Sequence, residues 1–313
     1  MVTKRKFLIG AVFSTILAMA GFSTPSFAEN IKITHASGES EVPLQPKKVV
    51  VFDLASLDNL QRLGAGDTVI ALPEIGLPKY LEAFSDEKIT KVGTLFEPNY
   101  ELIASLKPDL IIAGGRSQPK LKELAAIAPT IDTTVSTDNY LGDVDRNVEI
   151  LGKIFGKEAE AKAEIEKLAA TLAEVKKEAD GKGNGLLILT TGGKMSAFGP
   201  GSRFGLLYSG FGVSPAVADL PVGRHGQPIS SEYILEKNPD WLFVIDRDAA
   251  IGREGQSAAQ MLDNPVVNES KVAQKKHIVY LDPQNWYLVG GGLSGLHETA
   301  DQLMKAFKAA DAK

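Results

Sequence analysis

The chain is 313 residues long and 44% apolar, carries 34 Lys+Arg against 39 Asp+Glu for a formal charge of −5, and contains no cysteine. This composition suits two modest domains, and it excludes disulfides, thiolate metal sites and attachment through a lipidated N-terminal cysteine. The acidic balance also makes nucleic acid a poor partner, because neutralising phosphates takes a cationic surface.

Residues 1–28 read as a secretory signal. Lys4, Arg5 and Lys6 precede an apolar run from Phe7 to about Phe22, and Ser26-Phe27-Ala28 offers small residues at the cleavage spacing. The apolar run falls short of the roughly 20 residues a membrane span requires. The mature chain, from Glu29, keeps 31 Lys+Arg against 39 Asp+Glu, a charge of −8. It is expected in the periplasm as a monomer and not as a lipoprotein.

Residues 29–142 alternate short β-rich and helical runs. Strands are predicted at 48–53, 68–72 and 109–113 and helices at 56–63, 99–106 and 119–127, which makes an α/β lobe. Residues 143–180 contain no proline, and Val148, Leu151, Ile154, Phe155, Ile165, Leu168, Leu172 and Val175 keep a helical spacing. One long interlobe helix is predicted there, its Lys/Glu remainder a solvated face. The glycine-rich stretch 181–185 ends it. Residues 181–313 form a second α/β lobe, with strands at 186–190, 241–245 and 277–281, helices at 204–210 and 231–237, and a closing helix at 296–308. The predicted fold class is α/β: two lobes with mainly parallel sheets, one long backbone helix between them and a ligand cleft where they face. A single rigid connection implies small lobe motion and more important loop motion.

One sixteen-residue pattern occurs in both lobes. Residues 101–116 read ELIASLKPDLIIAGGR and residues 232–247 read EYILEKNPDWLFVIDR, sharing Glu, Ile, Pro, Asp and Arg without a gap. Each copy is an amphipathic run stopped by Pro108 or Pro239 and then a continuous apolar run, the grammar of helix, turn and buried strand. Ligands of open α/β sheets bind beyond the carboxyl ends of the strands, so Arg116 and Arg247 fall where a ligand sits, one from each lobe. Two facing cations suit an anion.

Further residues of the second lobe extend the set. Arg203 lies in Gly199-Pro200-Gly201-Ser202-Arg203-Phe204-Gly205, a glycine-rich turn opening a helix. His225 lies in a loop between Gly223 and Gly226, and Tyr287 just ahead of Gly290-Gly291-Gly292; both settings read as flexible. A neutral imidazole and a phenolate can complete the shell of hard trivalent iron while arginines neutralise anionic oxygen donors around it. Iron carried by an anionic chelator is the cargo this set suits, with no intrinsic cofactor. Charge-assisted hydrogen bonds contribute roughly 1.5–3 kcal/mol each, against about 12 kcal/mol for nanomolar affinity.

Through Gly114-Gly115-Arg116-Ser117-Gln118, the Gly-Ser-Arg turn at Arg203, His225, Arg247 and Tyr287, in that order, the mature chain resembles the periplasmic substrate-binding proteins of ABC importers whose lobes are bridged by one long helix. Within that family it is most similar to the binding proteins for ferric catecholate siderophores of the enterobactin type. The resemblance implies that Arg116, Arg203 and Arg247 clamp the anion. It implies that His225 and Tyr287 fill the two iron positions left by a tetradentate bis-catecholate. It also implies that Glu101 and Glu232, one per lobe, dock on arginines of the inner-membrane ABC permease. Both glutamates also complement the dipole of a first helical turn, worth roughly 0.3–1 kcal/mol.

Haem is the nearest rival cargo, since propionates want arginines and its iron accepts Tyr or His; cobalamin is compatible with the fold but leaves the arginines and Tyr287 unexplained. A bare Zn or Mn ion fits less well, because His35, His277 and His297 are scattered. An enzyme is not expected. Ser294 lacks the glycine that would complete Gly-x-Ser-x-Gly, and residues 297–301 do not complete His-Glu-x-x-His, which leaves a siderophore esterase as the remote alternative.

Overall fold

The computed structural model describes Met1 and residues 29–311. Residues 2–28 of the predicted signal lie outside the described residues. The fold begins with an antiparallel hairpin, β1 (Asn30–His35) and β2 (Gly38–Pro43), which the sequence reading passed over. It is tied to the first lobe by Ser40 Oγ, which donates to the Thr130 carbonyl at 2.7 Å.

The first lobe is built on a five-stranded, wholly parallel sheet in the order β5 (Thr90–Lys91), β4 (Val69–Leu72), β3 (Val49–Val51), β6 (Leu110–Ala113), β7 (Thr130–Asp132). The chain winds outward from β3 to β5, then reverses through β6 to β7, so the switch point lies between the carboxyl ends of β3 and β6. The second sheet runs β11 (Gln227–Ile229), β9 (Lys194–Phe198), β8 (Asn184–Thr191), β12 (Trp241–Asp246), β13 (Ile278–Tyr280), with the short β10 (Ser214–Pro215) also on β8. Pairings β8–β12, β12–β13 and β10–β8 are parallel, whereas β8–β9 and β9–β11 are antiparallel. The sequence reading missed the β8–β9 hairpin.

Alternate residues of each central strand feed different cores, as a period of two demands of a strand buried on both faces. Val49, Val51 and Ile112 enter one large core, and Val50 and Ile111 an outer one. Leu187, Phe243 and Ile245 enter that same large core, and Leu186, Leu242 and Val244 another outer one. The inner faces of both sheets therefore share a single apolar interior with Ile154, Leu168 and Leu303 of the connecting and closing helices.

The single predicted helix over 143–180 is two helices, Tyr140–Phe155 and Glu158–Ala179. Gly156 closes the first in the left-handed conformation, with φ +66° and its N–H bonded to the Gly152 carbonyl. A Cβ on Gly152 would lie 2.7 Å from that of Ala161, so the two helices cross closely there. The closing helix, Leu293–Asp311, packs on Glu158–Ala179 and on Leu54–Arg62 of the first lobe. It is capped from across the lobe boundary: Asp58 Oδ2 accepts from the amides of Ser294 (2.8 Å) and Gly295 (3.2 Å), and Asn59 Oδ1 from Leu293 (3.0 Å). Among the described residues no helix is long and apolar enough to cross a membrane.

Candidate functional site

The two copies of the repeated pattern fold alike up to their last residues. Each is a seven-residue helix, Tyr100–Leu106 or Ser231–Lys237, ended by a left-handed residue, Lys107 (φ +50°) or Asn238 (φ +41°), directly before the proline. The shared aspartate has one task in both copies. Asp109 Oδ2 accepts from the Lys47 and Lys48 amides at 2.9 Å, and Asp240 Oδ2 from the Asn184 amide at 3.0 Å, so each ties the start of its strand to the central strand beside it.

At the arginines the copies diverge. After β6 the chain turns through Gly114-Gly115, where a Cβ on Gly114 would meet Thr133 Oγ1 at 2.8 Å and Gly115 sits at φ +50°, so Arg116 leaves a turn that larger residues could not make. Ser117 Oγ closes that turn on the Gly114 carbonyl at 3.1 Å. After β12, Asp246 caps a new helical turn and Arg247 is its first residue.

Tyr287 is the point on which these cations converge. It lies in the π-helical turn Asn285–Val289, closed by the Gly290 amide on the Asn285 carbonyl at 2.9 Å, with Gly290 at φ +69°. This setting is packed, which corrects the expectation of a flexible one. Asn285, Trp286, Leu288 and Val289 are buried, Trp286 lies 6.4 Å from the Phe204 ring and 6.2 Å from the Phe211 ring, and Tyr80 Oη donates to Asn285 Oδ1 at 2.8 Å. The half-buried Tyr287 ring is faced by the guanidinium carbons of Arg203 at 4.9 Å, Arg116 at 5.2 Å and Arg247 at 5.4 Å.

Arg247 Nε donates to Tyr287 Oη at 2.8 Å and Nη1 to Thr191 Oγ1, at the carboxyl end of β8, at 3.1 Å. Thr191 in turn donates to Asp248 Oδ1 at 2.9 Å, which steadies the arginine from behind. Arg116 reaches from the first lobe to the turn itself, donating to the carbonyls of Leu288 (3.3 Å) and Tyr287. Arg203 stacks on Phe204 at 4.5 Å, so its charge is held by aromatic faces and by no carboxylate among the described residues.

The electrostatics follow from this crowding. Burial pushes the Tyr287 phenol up, but the Arg247 hydrogen bond and the charges of Arg247, Arg203 and Arg116 outweigh it and leave the phenol below its ordinary value. Burial lowers Arg116 and Arg203, and their neighbouring arginines press the same way, yet guanidinium stays charged in proteins. The nearby Asp53, capping the helix after β3, is raised by burial despite its hydrogen bonds from Ser56 and the charge of Arg116. The site thus holds more cation than anion in a half-buried setting, an arrangement that favours an incoming anion.

The remaining predicted residues are exposed and stand outside this network of hydrogen bonds. His225 is exposed on the loop before β11 and makes no hydrogen bond to the three arginines or Tyr287. Arg203 feels the charge of its neighbour Arg224, which places that loop beside the cluster. Glu101 and Glu232 are both exposed in first helical turns; the Ser230 hydroxyl holds the Glu232 carboxyl below its ordinary value. Each stands at the start of a helix joining two strands that run in the same direction, β5 to β6 and β11 to β12, hence at the same carboxyl edge of its sheet as the arginines.

Sequence reasoning missed Asp53, Thr191 and Arg224. The first two follow the strand-end rule that found Arg116, since Asp53 trails β3 and Thr191 ends β8. Volume alone would have misled: a cavity of about 580 Å³ beyond β12 and β13 is lined by Tyr280 and by Asp246, Asp282 and Glu298, whose carboxylates are already spent on local amides.

The chain is 45% identical over 283 residues to the petrobactin-binding protein YclQ of Bacillus subtilis, spanning 90% of this chain and 88% of that protein. The crystal structure of YclQ superposes with a TM-score of 0.86 at 43% identity, covering 90% of this chain and 99% of that one. The periplasmic catecholate-siderophore binding protein VctP of Vibrio cholerae superposes with a TM-score of 0.81 at 33% identity, covering 90% and 100%. The profile of the periplasmic binding proteins matches residues 49–285. The chain belongs to the periplasmic binding protein family.

Proposed function

We propose that this protein captures a ferric catecholate siderophore outside the cytoplasmic membrane, after export directed by residues 1–28, and delivers it as a monomer to an ABC permease. The observation that carries the reading is the convergence of Arg116, Arg203 and Arg247, drawn from both lobes, within 5.4 Å of one phenol ring. Three guanidinium groups offer forked donors to catecholate oxygens, and a phenol already drawn toward its anion offers an oxygen to ferric iron. His225 supplies the second protein donor to the iron; its loop borders the Arg203 turn. Glu101 and Glu232 dock on the permease. Relatives named for petrobactin and for a catecholate siderophore support the chelate class. The enterobactin-type cargo, as a tetradentate bis-catecholate, is the form that leaves iron positions for Tyr287 and His225.

Tryptophan fluorescence tests this directly. Trp286 adjoins Tyr287, whereas Trp241 starts β12, roughly 20 Å of strand away from Arg247 at about 3.3 Å per residue. Ferric bis-catecholate should quench at nanomolar to submicromolar concentrations, mainly through Trp286, with a broad catecholate-to-iron band in the visible. Haem binding with an intense Soret band, or cobalamin binding, without a response to ferric catecholates would replace this reading.

A further inference from the structure

We propose that Arg224 is a steering cation at the mouth of the cleft, which speeds the capture of anionic ferric chelates according to their negative charge. The inference rests on the siderophore reading above and adds a residue that selects by association rate.

The loop bearing Arg224 lies along the turn bearing Arg203: a Cβ on Gly199 would meet Leu220 Cβ at 3.0 Å, and one on Gly201 would meet Val222 Cγ2 at 3.0 Å. The far end of the loop is pinned by Gly226, at φ +68°, where a Cβ would come within 2.6 Å of the Ala197 carbonyl oxygen on β9. Arg224 is held next to the cluster by packing on both sides, and its charge is felt by Arg203.

The three inner arginines are half-buried and engaged: Arg116 with the carbonyls of Tyr287 and Leu288, Arg247 with Tyr287 and Thr191, Arg203 with two aromatic faces. Arg224 is exposed and makes no ion pair or hydrogen bond among the described residues. The mature protein is acidic, with formal charge −8, and repels an anion at long range. A local field at the mouth must overcome that repulsion, and an unpaired guanidinium in water is the group that projects it. Rim charges of this kind act on association rate and salt dependence more than on the lifetime of the complex.

Stopped-flow fluorescence with ferric bis-catecholate and ferric tris-catecholate tests the assignment, because the second carries two more negative charges. Wild type, Arg224→Ala and Arg224→Lys are compared at low and high salt. Arg224→Ala should slow association of the tris-catecholate roughly three- to tenfold at about 0.01 M salt and the bis-catecholate less, with dissociation unchanged. Near 1 M salt, where the screening length is about 3 Å, the difference should close, and Arg224→Lys should retain most of the wild-type rate. Equal association rates for wild type and Arg224→Ala, equal slowing of both chelates, or an effect confined to dissociation overturns the steering role while leaving the siderophore reading in place. A wild-type protein that captures neither chelate overturns both.

Discussion

Tyr287 carries an oxygen whose protonation is decided by its neighbours. Its ring alone would lose by burial, and Arg247, Arg203 and Arg116 reverse that sign. Tyr287→Phe keeps the ring on which the arginines stack and removes only the oxygen, so the ferric bis-catecholate complex should lose or shift its charge-transfer band while the fold is retained. An unchanged visible spectrum would count against coordination by the phenol. The same residue shows where reading along the chain stops: three glycines after a tyrosine look like a mobile loop, yet Trp286 and Leu288 on either side are buried and Gly290 closes a helical turn. Composition reports freedom of the backbone, and only the neighbours in space report whether that freedom is used.

The elements show a similar division. Pro108 and Pro239 mark two helix-to-strand junctions in the sequence, and both junctions form where the pattern puts them. The task of Asp109 and Asp240 is invisible there, since Lys48 and Asn184 lie about sixty residues away along the chain. Gly156 likewise reads as a tolerated glycine inside a helix, but it takes a left-handed φ and ends one. The cap that Asp58 places on the closing helix has a consequence for stability. Burial raises its carboxyl from 3.8 to about 6, although two backbone amides oppose the shift. The folded state then binds more protons than the unfolded chain between those values, so stability is fully present below about pH 4, falls as pH rises to 6, and stays lower above it. The difference is up to about 3 kcal/mol. Asp58→Asn keeps an acceptor for Ser294 and Gly295 and removes the titration, so its melting temperature should fall less over that window, by up to roughly 6–12 °C at about 2–4 °C per kcal/mol. Parallel pH traces for the two proteins would show that Asp58 is not the group responsible.

At the scale of the whole molecule, the inner faces of both sheets, the two connecting helices and the closing helix share one core. That continuity resists wide opening of the lobes, since parting them would expose apolar surface at about 25 cal/mol per Å². It also fixes the spacing between Glu101 and Glu232, each standing exposed at the cleft edge of its own lobe. Replacing both with alanine should abolish permease-dependent iron uptake and leave chelate affinity within about twofold, because rim charges away from the cluster contribute little to binding. Uptake measured in vesicles alongside fluorescence titration separates the two effects; a matching loss of affinity would place these glutamates at the cargo. The α/β class, the two lobes, the strand-end arginines and the helix-turn-strand repeat were legible in the sequence because hydrophobic period, proline and strand polarity are local properties. The meeting of three guanidinium groups on one phenol, the capping of the closing helix by Asp58 and Asn59, and the exposed place of His225 were decided only by tertiary structure. Each depends on which distant segments the shared core brings side by side, and no local pattern encodes that pairing.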